Sequence, residues 1–382
     1  MATLAPYKEA AQIIEEEGGE ALKLCYQCGL CTAVCPWNRV TSFTPRKLIH
    51  QAQLGLVDFE HDEVWRCVSC KLCVDRCPRG VRVMDIMRAL RRVIVEVGAG
   101  ITPDALRLSM KNTSGVGNPL GEEREKRTDW VKELGVKTFT KGTEILYFPC
   151  CYQIYDPFGK RVARAAVNIM KKAGVDFGML GAEVSCCGES MRKAGSESIF
   201  QNLVQSNISA FAEAGVRKIV VTSPHCYHTF TEEYPEFGGD FEVIHFVQYL
   251  SELLREGKLE FTKKLNKKVT YHDSCCLGRY AGLYDEPRQV LESIPGLELV
   301  EMRENREHAL CCGGCAGRFW METKKGERWS DLRIAQAIEV EANVLAVACP
   351  YCMLNFQDSL LSPEWGDALE LKDIAQLVEE AM

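Results

Sequence analysis

The feature that most restricts this 382-residue chain is a repeat written in cysteines. Cys151, the pair Cys186-Cys187 and Cys226 recur as Cys275, Cys311-Cys312 and Cys352, displaced by 124, 125, 125 and 126 positions. The apolar run at 145–148 returns at 269–272 with the same offset of 124. So constant a spacing predicts two tandem domains of one fold, 143–262 and 263–382. Glycine follows each pair, in Cys186-Cys187-Gly188 and Cys311-Cys312-Gly313-Gly314-Cys315. A residue without a Cβ lets the backbone come close to whatever the thiols grip.

Between the cysteines, short apolar runs alternate with amphipathic stretches, the pattern of α/β units with a mainly parallel sheet. Strands are expected at 145–148, 218–222, 243–246, 268–272, 299–302 and 344–348. Helices are expected at 160–173, 198–214, 247–256, 286–293, 331–341 and 371–381. Each cysteine then falls at a strand end or in a loop, along the sheet edge where open α/β folds build their sites.

The chain holds 20 cysteines. A disulfide framework is the alternative, but that belongs mostly to small secreted chains. The start, Met1 to Glu9, has no apolar run of signal-peptide shape. No apolar stretch approaches the roughly 20 residues that span a bilayer. Metal-bound thiolates in a reducing cytosol, with no direct membrane insertion, are the expectation. A formal net charge of −7 and the lack of a basic, aromatic-interleaved patch argue against nucleic acid as a partner.

A second motif lies upstream. Cys25, Cys28, Cys31 and Cys35-Pro36 recur as Cys67, Cys70, Cys73 and Cys77-Pro78. This double run is the bacterial ferredoxin pattern for two [4Fe–4S] clusters, in which the fourth cysteine of each run serves the other cluster. Cys25, Cys28, Cys31 and Cys77 are thereby assigned to one cubane, and Cys67, Cys70, Cys73 and Cys35 to the second. Zinc, the alternative, needs four ligands in two pairs and leaves the third cysteine and the Cys-Pro of each run idle. The surrounding domain, 1–97, reads as mostly helical, with helical patterns at 8–24, 45–52 and 85–94. The arginines of the last one read as a solvated face. Residues 98–142, rich in glycine and charge, read as a linker with a turn at Asn118-Pro119. Gly115 to Gly121 has the wrong glycine spacing for a dinucleotide loop and follows no apolar strand.

One position breaks the repeat. The second domain offers five thiols, Cys275, Cys311, Cys312, Cys349 and Cys352, but Ser223 stands in the first domain where Cys349 stands in the second. Three readings stay open. Cys150 is the missing ligand, or His225 or His228 substitutes, or the first domain keeps only its fold and no cluster. Cys276 and Cys315 have no counterparts in the repeat and read as small buried hydrophobes.

Together these motifs resemble the family of heterodisulfide reductase iron–sulfur subunits. The N-terminal part, with Trp65-Arg66-Cys67 and Cys77-Pro78-Arg79-Gly80-Val81, resembles the ferredoxin-type C subunit. Residues 143–382 resemble the B subunit with its paired CCG domains, and the fusion in this order resembles the D subunit. The wider superfamily includes electron-transfer subunits such as that of the class II, tungsten-type benzoyl-CoA reductase. The resemblance implies an α+β multidomain fold, a helical two-cluster ferredoxin-like domain followed by two α/β CCG domains. It also implies a non-cubane [4Fe–4S] cluster held by Cys275, Cys311, Cys312, Cys349 and Cys352. Cys151, Cys186, Cys187 and Cys226 match a second such site, from which Ser223 departs.

The expected function is that of an oxidoreductase subunit. Electrons pass through the two cubanes to the CCG site of the second domain, where a disulfide or related thiol substrate is reduced. No flavin or nicotinamide loop is present, so electrons come from or go to a partner protein in a hetero-oligomeric complex. A flavoprotein, a membrane cytochrome or a catalytic reductase subunit fits that role, and a membrane cytochrome would associate the chain with the membrane. The rival is an obligate relay with no substrate of its own. A thiol-based metal store explains the cysteine count but not the ferredoxin runs. A hydrolase built on Cys226 and His228 lacks a third orienting group.

Overall fold

The computed structural model describes residues 5–382. Met1 to Leu4, part of the start read above as no signal peptide, lie outside the described residues. The chain divides into two compact units. One comprises Met1–Met110, Glu189–Phe200 and Gly313–Trp329, and the other Lys111–Gly188, Gln201–Cys312 and Ser330–Met382. The segments just after each Cys-Cys-Gly motif, expected within the tandem domains, thus count with the N-terminal unit.

The first unit is helical. Its two longest regular helices within 1–97 are Pro45–Leu54 and Val83–Val95. Proline sits at the first turn of the former, where its missing N–H costs nothing. The latter buries Val83, Ile86, Met87, Leu90, Val93 and Ile94 along one stripe. Near the N-terminus, Lys8–Ile14 is α-helical and then loosens into a π-turn and a 3₁₀ turn, broken at Gly18 by a φ of 100°.

Two findings correct the sequence reading. Arg91, expected on a solvated face, is wholly buried. Its guanidinium is the donor for three carbonyls, those of Val64, Cys67 and Lys193. Backbone groups that need a donor outweighed the usual cost of burying that charge. The stretch 98–142 also carries structure, with helix Asp104–Val116 and 3₁₀ helix Arg124–Leu134. The expected turn is present, because Asn118 Oδ1 accepts from the N–H groups of Leu120 and Glu122.

The second unit holds two four-stranded, wholly parallel sheets. The strands are β1 (Ile145–Phe148), β2 (Phe177–Gly178), β3 (Lys218–Val221), β4 (Glu242–His245), β5 (Lys267–Tyr271), β6 (Leu297–Leu299), β7 (Val344–Val347) and β8 (Glu370–Asp373). Their orders are β2-β1-β3-β4 and β6-β5-β7-β8, the same topology twice. Within the first sheet, Ile145 pairs with Lys218 and Phe148 with Val221; in the second, Val269 pairs with Val344 and Tyr271 with Ala346. β1 and β7 are buried along their whole length, as strands covered on both faces must be. Strands β2 and β8 and the helix Pro350–Leu360 were not expected from the sequence, and β6 lies just before the expected run at 299–302.

The repeats pack reciprocally. Helix Pro157–Lys172, which follows β1, meets the helix Ile374–Ala381 that follows β8, through Asn168 Nδ2 to Glu379 Oε1 at 2.6 Å. Helix Phe246–Arg255, which follows β4, meets Asp285–Ser293 after β5, through Ser251 Oγ to Gln289 Oε1 at 3.1 Å. The helices after β4 and β8 share a capping box, His245 with Gln248 and Asp373 with Gln376.

Candidate metal centres

In the first unit the eight ferredoxin-pattern cysteines line two cavities. One, of about 360 Å³ including its open side, is lined by Cys25, Cys28, Cys31 and Cys77. The other, of about 390 Å³ on the same measure, is lined by Cys35, Cys67, Cys70 and Cys73. Each grouping takes three thiols from one run and one from the other, the exchange expected from the spacing. Backbone shape explains how the loops wrap. Residues on both sides of the middle cysteine have positive φ in each run: Gln27 (67°) and Gly29 (87°), then Ser69 (53°) and Lys71 (68°). Three of these four are not glycine, so the conformation is strained. In the second run Ser69 N–H donates to Cys67 Sγ at 3.4 Å, and past Gly80, whose φ is 63°, Val81 N–H donates to Cys77 Sγ at 3.3 Å.

Burial, then the neighbouring Cys70 and Cys67 thiols, pushes the Cys35 and Cys73 thiols up. So many thiols cannot ionise together unless a cation neutralises them, which is the condition a metal meets. The two environments differ. Cys28 is exposed and Arg46 and Arg79 at its cavity are exposed too. The other cavity is walled by Trp37, Phe43 and Trp329, the two indoles 5.0 Å apart edge to face. Beside it the Arg91 guanidinium bonds the carbonyl of Cys67.

In the second unit the cysteines stand at the carboxyl ends of the strands. Cys151 begins a short helix after β1 with Cys150 as its N-cap, and Cys226 lies in Pro224–His228 after β3. Cys275 follows β5; Cys349 caps the helix after β7, whose first turn carries Cys352. The glycine closing each Cys-Cys-Gly has a left-handed backbone, φ 89° at Gly188 and 92° at Gly313. Only glycine takes this without strain, and the sharp turn lets two adjacent thiols serve one centre.

All five expected thiols of the second repeat come together in a row. Cys275 Sγ lies 3.8 Å from Cys311 Sγ, and hydrogen bonds run on from Cys311 to Cys312, Cys312 to Cys352 and Cys352 to Cys349. In the first repeat the row runs Cys151, Cys186, Cys187, Cys226 and then Cys150. Ser223 is buried and its Oγ has no hydrogen-bond partner. His225 turns to the second repeat instead: its Nδ1 lies 3.4 Å from Cys276 Sγ, it is hydrogen-bonded to Cys349, and its ring stacks on Tyr351 at 4.2 Å. His228 meets the ring of Tyr280 at 4.8 Å. Cys276 and Cys315 are buried, but Cys276, expected as a small hydrophobe, instead meets the His225 ring nitrogen.

Polar side chains that the cysteine spacing could not reveal surround these rows. A ring nitrogen of His272 lies within 4.8 Å of the sulfurs of Cys312 and Cys352. Its Nδ1 accepts from Arg333 Nε at 3.2 Å, which leaves the proton on the buried Nε2, and the imidazole bonds the Cys312 thiol. Hydrogen bonds from Cys311 and then Cys352, with the imidazole nearby, hold the Cys312 thiol well below its usual range despite burial. Burial acts against ionisation of Cys349 too, but the Cys352 hydrogen bond and His225 outweigh it and pull that thiol down. In the first repeat Phe148 stands where His272 stands in the second, and buried Arg127 lies over its ring at 4.7 Å. Arg127 Nη1 reaches to 4.0 Å from Cys151 Sγ.

Comparison with known proteins accords with this geometry. A 4Fe-4S dicluster domain matches residues 21–81, and a cysteine-rich (CCG) domain matches twice, at 145–231 and 269–357. The D subunit of the dihydromethanophenazine:CoB–CoM heterodisulfide reductase from Methanosarcina barkeri is 29% identical, with 94% of each chain covered. The chain is a dicluster protein with paired CCG domains, similar to the heterodisulfide reductase D subunits. A probable iron-sulfur-binding oxidoreductase, FadF, of Bacillus subtilis is 36% identical over 84% of this chain and 47% of that protein. The EtfAB:quinone oxidoreductase of Syntrophomonas wolfei is 35% identical over the same shares. The chain thus spans about half the length of these two relatives. In fold, a hypothetical protein from Helicobacter pylori aligns over 98% of this chain and 73% of its own, with a TM-score of 0.55 and 11% identity. Iron–sulfur clusters are the cofactors of a CCG protein with these domains. No helix among the described residues is long and apolar enough to cross a membrane.

Proposed function

We propose that this chain is an electron-transfer component of an oxidoreductase and that it delivers electrons to the CCG site of its second repeat, where a disulfide or related thiol substrate is reduced. The observation that carries this reading is the row of five buried thiols from Cys275 to Cys349 at the carboxyl end of the second sheet. An all-thiol donor set suits iron, a soft-ligand centre, and excludes the oxygen-seeking cations. Cys25, Cys28, Cys31 and Cys77 would hold one [4Fe–4S] cubane, and Cys35, Cys67, Cys70 and Cys73 the other. Cys275, Cys311, Cys312, Cys349 and Cys352 would hold a non-cubane [4Fe–4S] cluster. Such clusters supply one-electron chemistry, at potentials tuned by charge, hydrogen bonds to sulfur and exposure.

The protein's own contribution is placement and charge. Gly188 and Gly313 turn paired thiols to one centre, Arg91 and Arg127 bring buried positive charge, and His272 sets a ring N–H near Cys312. Reducing one disulfide consumes two electrons and two protons and yields two thiols. In this reading the working domains are 1–97, 143–262 and 263–382, with 98–142 between them. A flavoprotein, a membrane cytochrome or a catalytic reductase subunit exchanges electrons with the chain, and a membrane partner would fix its location. Stopped-flow mixing of dithionite-reduced, cluster-replete protein with a thiol-derived disulfide tests this; bleaching of the reduced clusters is expected. No reoxidation by any such disulfide, with the clusters intact, refutes it.

A second reading, a relay without its own substrate, is favoured by one observation. Two relatives are roughly twice as long as the matched region, and one of them is named for electron exchange with quinone. Isolation in a stable complex with a redox partner, together with no turnover of disulfides, would select it.

A further inference from the structure

The two rows of thiols have the same order of neighbours. Cys275, Cys311, Cys312 and Cys352 in the second repeat correspond to Cys151, Cys186, Cys187 and Cys226 in the first. The second row ends on Cys349, whose free thiol hydrogen-bonds that of Cys352. The first ends on Cys150, whose free thiol hydrogen-bonds that of Cys226. By sequence the counterpart of Cys349 is Ser223, yet in space the end position belongs to Cys150. Its extended backbone, φ −61° and ψ 149°, at the cap of Cys151–Tyr155 lets two adjacent thiols face one centre.

The rival ligands are engaged elsewhere or mute. His225 is committed to Cys276 and Cys349, His228 packs on Tyr280, and Ser223 Oγ makes no hydrogen bond. Independent of the thiols, Arg127 is 2% exposed, its Nη2 has no hydrogen-bond partner, and Nη1 lies 4.0 Å from Cys151 Sγ. A buried guanidinium with an unused N–H beside a thiol row is counter-charge for an anionic ligand. Five thiols beside one buried arginine make a poor apolar core and a good iron site.

We propose that Cys150 replaces the thiol lost at Ser223, so that Cys150, Cys151, Cys186, Cys187 and Cys226 hold a second multi-iron centre in the first repeat. This rests on the reading that the thiols of this chain bind iron. The test uses the full chain, reconstituted without air with ⁵⁷Fe and sulfide. Iron per chain, Mössbauer spectra and low-temperature EPR are compared for the wild type, Cys150→Ser, Cys150→Ser with Ser223→Cys, and Cys312→Ser. With four clusters of equal iron content, Cys150→Ser loses about a quarter of the iron and one non-cubane signal. Cys312→Ser loses a different one, and Ser223→Cys restores the first. The restoring variant also guards against a folding defect. Wild-type iron and spectra in Cys150→Ser would overturn the assignment while leaving the second repeat's site standing. No change in Cys312→Ser either would overturn the broader iron reading.

Discussion

Arg91→Met separates the structural and electrical roles of one buried charge. The guanidinium donates to the carbonyls of Val64 at 2.9 and 3.3 Å, Lys193 at 3.0 Å and Cys67 at 2.5 Å. Methionine has a similar reach and no donors, so three carbonyls lose this partner. At about 1–3 kcal/mol for each group left unsatisfied, folding stability falls by at least about 3 kcal/mol. Electrostatics adds a separate effect. A unit charge acting over roughly 8 Å through an effective dielectric of about 20 is worth about 2 kcal/mol, or roughly 90 mV for one electron. Burial pushes the Arg91 pKa down, but a guanidinium stays charged in proteins. Its loss therefore lowers the midpoint of the centre at Cys35, Cys67, Cys70 and Cys73 by that order and leaves the Cys25 centre nearly unmoved. EPR-monitored redox titration of both centres is the assay. Arg91→Lys retains the charge but not the fork, so it should recover most of the potential and little of the stability. Equal shifts at both centres, or none at either, would refute the argument.

Other consequences are as direct. Arg288 grips buried Asp273 with both arms, at 2.8 and 2.9 Å, so Arg288→Met removes the ion pair, leaves that carboxylate the Arg306 N–H, and lowers stability by about 3 kcal/mol, read as a fall in urea midpoint at constant slope. The matched caps respond to pH in opposite senses. Burial raises Asp373 to about 7, so between its ordinary value and 7 the unfolded chain has lost a proton that the fold retains, and stability falls as pH rises. Burial lowers His245 to about 3, so below its ordinary value the unfolded chain gains a proton that the fold refuses, and stability falls as pH drops. Asp373→Asn and His245→Asn keep a capping side chain and should each flatten their own limb, a change on the order of 4 kcal/mol in denaturant curves across pH. His272→Phe copies the residue of the first repeat; it should lower the midpoint of the second CCG centre by tens of millivolts, with iron content unchanged.

Much of this was written in the cysteines. Their offsets located both sheets, and the double run sorted eight thiols into the groups that line two cavities. What escaped did so for physical reasons. Helix Pro350–Leu360 begins on Cys-Pro-Tyr-Cys, and residues that serve a metal mask a helical start. Strand β8, Glu-Leu-Lys-Asp, is a sheet edge on which Glu370 and Lys372 pair with each other while buried Asp373 caps the next helix, so it lacks an apolar signature. Arg91 and Arg127 look solvated by composition, because a carbonyl or sulfur waiting for a donor has no sequence signal. Cys150 sits one residue from an expected ligand, and only the fold distinguishes the two roles.

The placement of His225 has a broader consequence. The short helix Pro224–His228 of the first repeat lends the His225 imidazole to Cys349 of the second, while Tyr351, at the matching point of the second repeat, packs edge-on to Tyr152 of the first at 5.5 Å. Each copy is therefore finished by its sibling. Severing the chain at the duplication boundary would yield two halves that both lack a wall, so the pair must be inherited, expressed and engineered as a single piece.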